Sequence, residues 1–452
     1  MMEKGRSMAF GWASDQVRLW SRQGAASVRS RDEWIHWALV AFVFLLPFPL
    51  FGPDGRNVLL YVLLVVWFHG RKAGARLTED QARLGWGLLI YLLAAGMSVS
   101  VSPDAGVSLR EIQRLPLNGL ILFLILAKGQ GSPVRLRHYV MALVCASGLV
   151  AGYGLIGLFS GRAQLAGIPT SVYAWKNELG YLLAVSITIV IWKLLTTSDR
   201  IQRAGWAILA LAQFWLLILS YTRAALVAVI VSTLILTVAL RRMKVLLVCI
   251  VAFMTLLAVS GQRIVTRHLS IVQPSTYVAG NLSGRVDLWG GTLAMIKRQP
   301  LRGYGFGAPL FARTARAFAD QTGDARATLG SHAHNLFLEA AFETGLFGLA
   351  ALSLLGGTVA WVLIKRCRVN QSRDAPRREI AVLFLAIYAV MIVISMTDYL
   401  LLDRFGVLGW TLFACTGALA SETPWHGGTE ETVAGPPFSD ASARRLPGRD
   451  RL

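Results

Sequence analysis

Twelve apolar runs joined by mostly short polar loops leave this chain few ways to fold. They lie at about residues 36–51, 56–69, 84–99, 115–128, 138–159, 178–196, 205–219, 224–240, 245–260, 345–364, 380–397 and 405–420. A helix needs roughly 20 apolar residues, and rarely fewer than about 17, to cross the hydrocarbon of a bilayer. There every backbone amide must be bonded within the segment, which makes such runs helices. Of the 452 residues 55% are hydrophobic and only 15% charged, against the roughly 25% charged of a soluble domain. The expected fold is all-α: a polytopic integral membrane protein with about 12 transmembrane helices, the second and fourth being short for a full span.

The net charge of +20 speaks first to topology. Lys and Arg collect in short cytoplasmic loops. One alternate set of short loops holds 19 of them, densest at 365–378, and the opposite set holds seven: Arg56, Arg110, Arg114, Arg162, Lys176, Arg223 and Arg404. An even span count with both termini in the cytoplasm satisfies this bias. The basic residues form no continuous stripe, which excludes nucleic acid as a partner. Residues 1–35 then read as a cytoplasmic tail without the apolar core of a signal peptide. Residues 36–260 hold spans one to nine, 261–334 a helical periplasmic loop domain, 335–420 spans ten to twelve, and 421–452 a disordered cytoplasmic tail. The loop domain is basic, as suits anionic ligands beside membrane lipids. Cys145, Cys249, Cys367 and Cys415 form no CxxC, so neither a disulfide framework nor a thiolate metal site is expected.

With this orientation the polar side chains capable of chemistry gather on the outer face. SHAHNLFLEAAFETGLFG at 331–348 puts His332, His334 and Asn335 at the outer end of the tenth span. Arg223 (SYTRAALVA) opens the eighth span, Arg285 (NLSGRVDLW) lies in the long loop, and Asn177 (AWKNELGYLLA) opens the sixth. Asp398, Asp403 and Arg404 (SMTDYLLLDRFG) occupy the last outer loop. Each also has a plain structural reading. An arginine at a span end snorkels to the interface, Asn177 suits a helix cap, and Asp398 suits a cap or a pairing with Arg404. No third ligand accompanies the His-x-His pair at a recognisable spacing, so no metal is expected. Histidine is the side chain best matched to proton transfer near neutral pH. If the helix starts at His334, the imidazole tops a face shared with Leu338, Ala341 and Gly345, while Gly345 and Gly348 allow close approach of a neighbouring helix. A histidine base beside arginines that grip phosphate oxygens suits group transfer from an activated lipid-linked phosphate, and needs no cofactor.

These residues resemble the superfamily of bacterial O-antigen ligases, which includes O-antigen polymerases and protein O-oligosaccharyltransferases. The resemblance rests on His334-Asn335 followed nine residues later by Gly345-Leu346-Phe347-Gly348, with support from PLRGYGFG at 300–307, Gly284-Arg285 and the step at 220–223. It implies a GT-C-like, twelve-span, metal-independent glycosyltransferase in the bacterial inner membrane, with its active site on the periplasmic face. The implied donor is O-antigen on undecaprenyl pyrophosphate and the implied acceptor a sugar hydroxyl of lipid A–core. By the same resemblance His334 is the base and Arg223 and Arg285 bind the pyrophosphate. A functional acid belongs in the last outer loop, where Asp398 and Asp403 both qualify. A solute transporter is the alternative from another class; against it, the polar cluster lies at span ends and not at mid-bilayer.

Overall fold

The computed structural model describes residues 31–48, 53–69, 76–128, 130–160, 164–165, 168–173, 176–259, 282–368, 375–399 and 403–421. Both expected tails, apart from residues 31–35 and Ser421, and residues 261–281 of the expected loop domain lie outside this set. The described chain is helical apart from a two-residue antiparallel pairing of Gln164–Leu165 with Ile168–Pro169.

In chain order the helices are α1 (Arg31–Leu45), α2 (Pro53–His69), α3 (Glu79–Ser98), α4 (Ala105–Ile112), α5 (Asn118–Ala127), α6 (Pro133–Ser160), α7 (Lys176–Thr196) and α8 (Arg200–Leu219). There follow α9 (Arg223–Ala239), α10 (Met243–Val259), α11 (Leu282–Arg298), α12 (Phe311–Thr322), α13 (Leu336–Arg368), α14 (Ala375–Ser395) and α15 (Asp403–Leu419). Each apolar run coincides with a helix over most of its described residues, the first leaving its helix after Leu45. Among the described residues six helices, namely α3, α6, α7, α8, α13 and α14, are long and apolar enough to cross a membrane by length and composition. The chain is thus a multi-pass, all-helical membrane protein. The other apolar runs lie on helices of 10 to 17 residues, below that length.

Lipid offers no hydrophobic drive between helices, so packing and interhelical hydrogen bonds must hold them. Helix α13 packs along α3, α15 along α5, α14 along α9, and α7 against α8 and α9. Small residues permit the closest crossings: a Cβ on Gly180 of α7 would lie 2.5 Å from the Thr222 side chain, and one on Gly119 of α5 would lie 2.6 Å from Trp410 of α15. Thr188 and Ser232 share a hydrogen bond of 2.7 Å between α7 and α9. At its start α3 is closed by a capping box of Thr78 and Gln81. The Gln81 amide then donates to Ala127 O at 2.8 Å and Gly417 O at 3.0 Å, tying α3 to α5 and α15.

Helix α13 corrects two expectations. Gly345 is not helical but sits at φ +69, ψ −173, breaking the helix within its third turn. The backbone groups freed there are taken up by the PLRGYGFG loop. Leu346 N donates to Pro300 O at 2.7 Å, Tyr304 N to Phe342 O at 2.8 Å and Gly305 N to Glu343 O at 3.1 Å. The close approach at Gly345 is therefore to the backbone of Leu301 and Arg302, not to a neighbouring helix. Gly303 and Gly305 follow the loop at φ +66 and +106, a region open mainly to glycine. Helix α13 also begins at Leu336, two residues after His334, so His334 does not share a helical face with Leu338 and Ala341.

Candidate active site

Asn335 is where the chain turns into α13. Its Oδ1 accepts from Phe337 N at 2.9 Å and Leu338 N at 3.1 Å, satisfying two of the donors a helix start leaves open. Its Nδ2 donates to Met396 O at 3.0 Å, tying the start of α13 to the segment after α14. The residue before this cap, His334, is left-handed at φ +49, a conformation that costs an L-residue roughly 1–2 kcal/mol. This turn brings the His332 and His334 rings to 4.0 Å between centroids.

Both imidazoles converge on Asp398, which follows α14. His332 Nε2 meets Asp398 Oδ1 at 3.1 Å and His334 Nδ1 meets the same oxygen at 2.9 Å. Tyr399 N donates to it at 2.9 Å. On Oδ2 the Tyr181 hydroxyl donates a short hydrogen bond and Asn177 Nδ2 donates at 3.4 Å. Burial by itself would raise the Asp398 carboxyl. The hydrogen bonds of His332, His334 and Tyr181, with the charge of His334, outweigh it and hold the group well below the usual carboxylate range. Asp398 is therefore ionised, and an ionised carboxylate only accepts. In the neutral form of His334 the proton then sits on Nδ1 and leaves the lone pair on Nε2.

That assignment separates the two histidines. His332 is engaged at both nitrogens, through Asp398 and through Ser331 Oγ at 3.1 Å, and its side chain is 12% exposed. His334 is 30% exposed, and among the described residues nothing bonds its Nε2. Such a nitrogen can take a proton from an incoming hydroxyl.

The remaining expected residues distribute around this pair. Asn177 lies inside the first turn of α7 and spends its amide on Asp398, so it is not a cap. Arg285, on α11, is near enough for its charge to act on the Tyr181 hydroxyl. Arg223 opens α9 directly after a turn whose Thr222 packs against Gly180, one residue from Tyr181. The side chains of Asp403 and Arg404, at the start of α15, lie outside the described residues.

His332, His334 and Asp398 also bring three donor atoms within 4.8 Å of one another. Sequence spacing hid this third donor, because Asp398 lies 64 residues beyond His334. The set is of a kind that binds metal. Here its donors are satisfied by one another, so a cation would have to displace both His–Asp bonds.

Sequence reasoning missed Tyr181, Tyr399, Trp289 and Glu339. Helical spacing carried a signal for two of them: Tyr181 stands four residues after Asn177, and Trp289 four after Arg285, which shares a face in each case.

Fold and site together define a multi-pass membrane protein with a histidine–carboxylate pair. Residues 207–353 match the family model described as O-antigen ligase, so this segment is similar to that family. The matched segment holds Arg223, Arg285, His332 and His334 but not Asn177 or Asp398. A 180-residue stretch is 30% identical to the exopolysaccharide production protein ExoQ of Rhizobium meliloti (strain 1021), covering 38% of this chain and 39% of that protein.

Proposed function

We propose that this protein is an inner-membrane glycosyltransferase of the O-antigen ligase type. It moves O-antigen polysaccharide from undecaprenyl pyrophosphate to a sugar hydroxyl of lipid A–core at the periplasmic face of a twelve-span, GT-C-like bundle. The observation that carries this reading is the His334–Asp398 pair, with Nδ1 committed to the carboxylate and Nε2 open. A sugar hydroxyl becomes a strong nucleophile only as a base removes its proton. His334 Nε2 takes that proton while the hydroxyl oxygen bonds to the anomeric carbon. The bond from that carbon to the pyrophosphate oxygen breaks, and its electron pair leaves with undecaprenyl pyrophosphate. Direct attack inverts the anomeric centre. Asp398 holds the imidazole in the basic tautomer and stabilises the imidazolium that forms. Arg223 and Arg285 neutralise the leaving pyrophosphate through bidentate contacts. With two arginines supplying that charge, the reaction is metal-independent and takes no cofactor.

A second reading, O-antigen polymerase, extends the glycan on the same lipid carrier with the same chemistry. The similarity to a protein of exopolysaccharide production favours it. The transferase reading is tested with purified protein, a polyprenyl-pyrophosphate glycan and lipid A–core. The wild type should form the glycan–core product and His334→Ala none. Equal product from both proteins would overturn the reading.

A further inference from the structure

The mechanism above uses the imidazole of His334 but not the peptide that aims it. Ala333, between the two histidines, is fully buried and its peptide groups are gripped from both sides. Its N–H donates to Glu339 Oε2 at 2.5 Å, and its carbonyl accepts from the indole Nε1 of Trp289 at 2.9 Å. Directly after it His334 adopts its left-handed backbone. A non-glycine residue keeps such a conformation only where its surroundings impose it.

Glu339 is an expensive way to hold one N–H. It is fully buried, and among the described residues its other oxygen, Oε1, has no hydrogen-bond partner. A buried polar atom left unpaired costs on the order of 1–3 kcal/mol. Asn335 already caps α13, so the helix start does not require the Glu339 carboxyl. Trp289 adds a second link. It stands one helical turn after Arg285 on α11, so one rigid element carries both the pyrophosphate arginine and the donor that holds the histidine loop.

We infer that Glu339 and Trp289 are positioning residues for the base: together they clamp the Ala333 peptide and thereby fix His334 Nε2 relative to Arg285. This rests on the assignment of His334 as base. Both act through the backbone and touch no substrate, so their loss lowers kcat and leaves donor KM unchanged. Displacing a reacting group by about 1 Å costs on the order of 100-fold.

The test compares Trp289→Phe, Glu339→Gln, Glu339→Leu and His334→Ala as purified full-length proteins with a polyprenyl-pyrophosphate glycan donor. Trp289→Phe keeps the ring packing and loses only the N–H donor. It should lower kcat about tenfold, with wild-type donor KM and wild-type thermal unfolding. Glu339→Gln keeps an acceptor oxygen and should retain most of kcat, whereas Glu339→Leu should fall about 100-fold or fail to accumulate. Wild-type kcat in Trp289→Phe, with His334→Ala inactive, overturns the clamp and leaves the base standing. A tenfold loss of kcat in Trp289→Phe matched by an equal loss of folded protein overturns it too. Full transfer by His334→Ala removes the base assignment, and the clamp falls with it.

Discussion

His334 and Asp398 stand 64 residues apart in the chain, yet Nδ1 of the first lies 2.9 Å from Oδ1 of the second. The contact joins the segment leading into α13 to the segment leaving α14. It turns an otherwise ordinary imidazole into one with a fixed tautomer and an open nitrogen. Asp398→Asn removes the charge and reverses the preference of the hydrogen bond. Transfer should fall by about 100-fold or more, as with other buried carboxylates that orient a catalytic histidine. His332→Ala should cost less, since Asp398 keeps its bond to His334. Steady-state kinetics of both variants checks the order; an equal loss in both would make His332 as necessary as the carboxylate.

The same carboxylate sets a pH dependence of stability. Its folded pKa is held well below the ordinary value near 3.8, by hydrogen bonds and charge that outweigh burial. A depressed acid contributes stability that is complete above the unfolded pKa and is lost as pH falls through the folded one. From neutrality down to about pH 4 this contribution is constant; below that it declines. Thermal unfolding in detergent should therefore drop less steeply below about pH 4 for Asp398→Asn than for the wild type. Parallel curves would show that the charge is not coupled to the fold.

Arg223→Lys and Arg285→Lys each keep a positive charge but lose the planar fork that the proposed pyrophosphate contacts require. Each variant should lose most transfer, about tenfold or more. Near-wild-type turnover in both would mark them as interfacial or surface arginines.

Chelation addresses the cluster of His332, His334 and Asp398. If Arg223 and Arg285 neutralise the leaving group as proposed, transfer should persist in EDTA. Loss of activity restored by a divalent ion would give the three donors to a metal instead.

Much of this arrangement was legible in the sequence because two signals are strong and local. Apolar runs near membrane length appear as helices whatever surrounds them, and the alternation of basic loops points the polar span ends to one face. His334 and Asn177, which meet at Asp398, are legible that way. What stayed hidden depends on tertiary contact. Nothing in SMTDYLLLDRFG distinguishes Asp398 from Asp403, and the bonds from His332, His334, Tyr181 and Asn177 that single out Asp398 come from other segments. Asn335 outcompetes His334 as the helix start because its short amide satisfies two open N–H groups. Gly345 reads locally as a packing glycine, and only the PLRGYGFG loop bonded across it explains the break. Glu339 looks like the polar face of a helix until its carboxyl is seen on the Ala333 peptide.

The central claim is that His334 is the base that moves a lipid-linked glycan onto lipid A–core, and the lipid-linked pool of a His334→Ala cell tests it most directly. Lipopolysaccharide is separated by gel, and undecaprenyl-pyrophosphate glycans are extracted and sized beside it. The account predicts bare lipid A–core together with long O-antigen chains accumulated on the carrier. Core bearing a single repeat unit would make the protein a polymerase, and lipopolysaccharide identical to that of the wild type would contradict the account altogether.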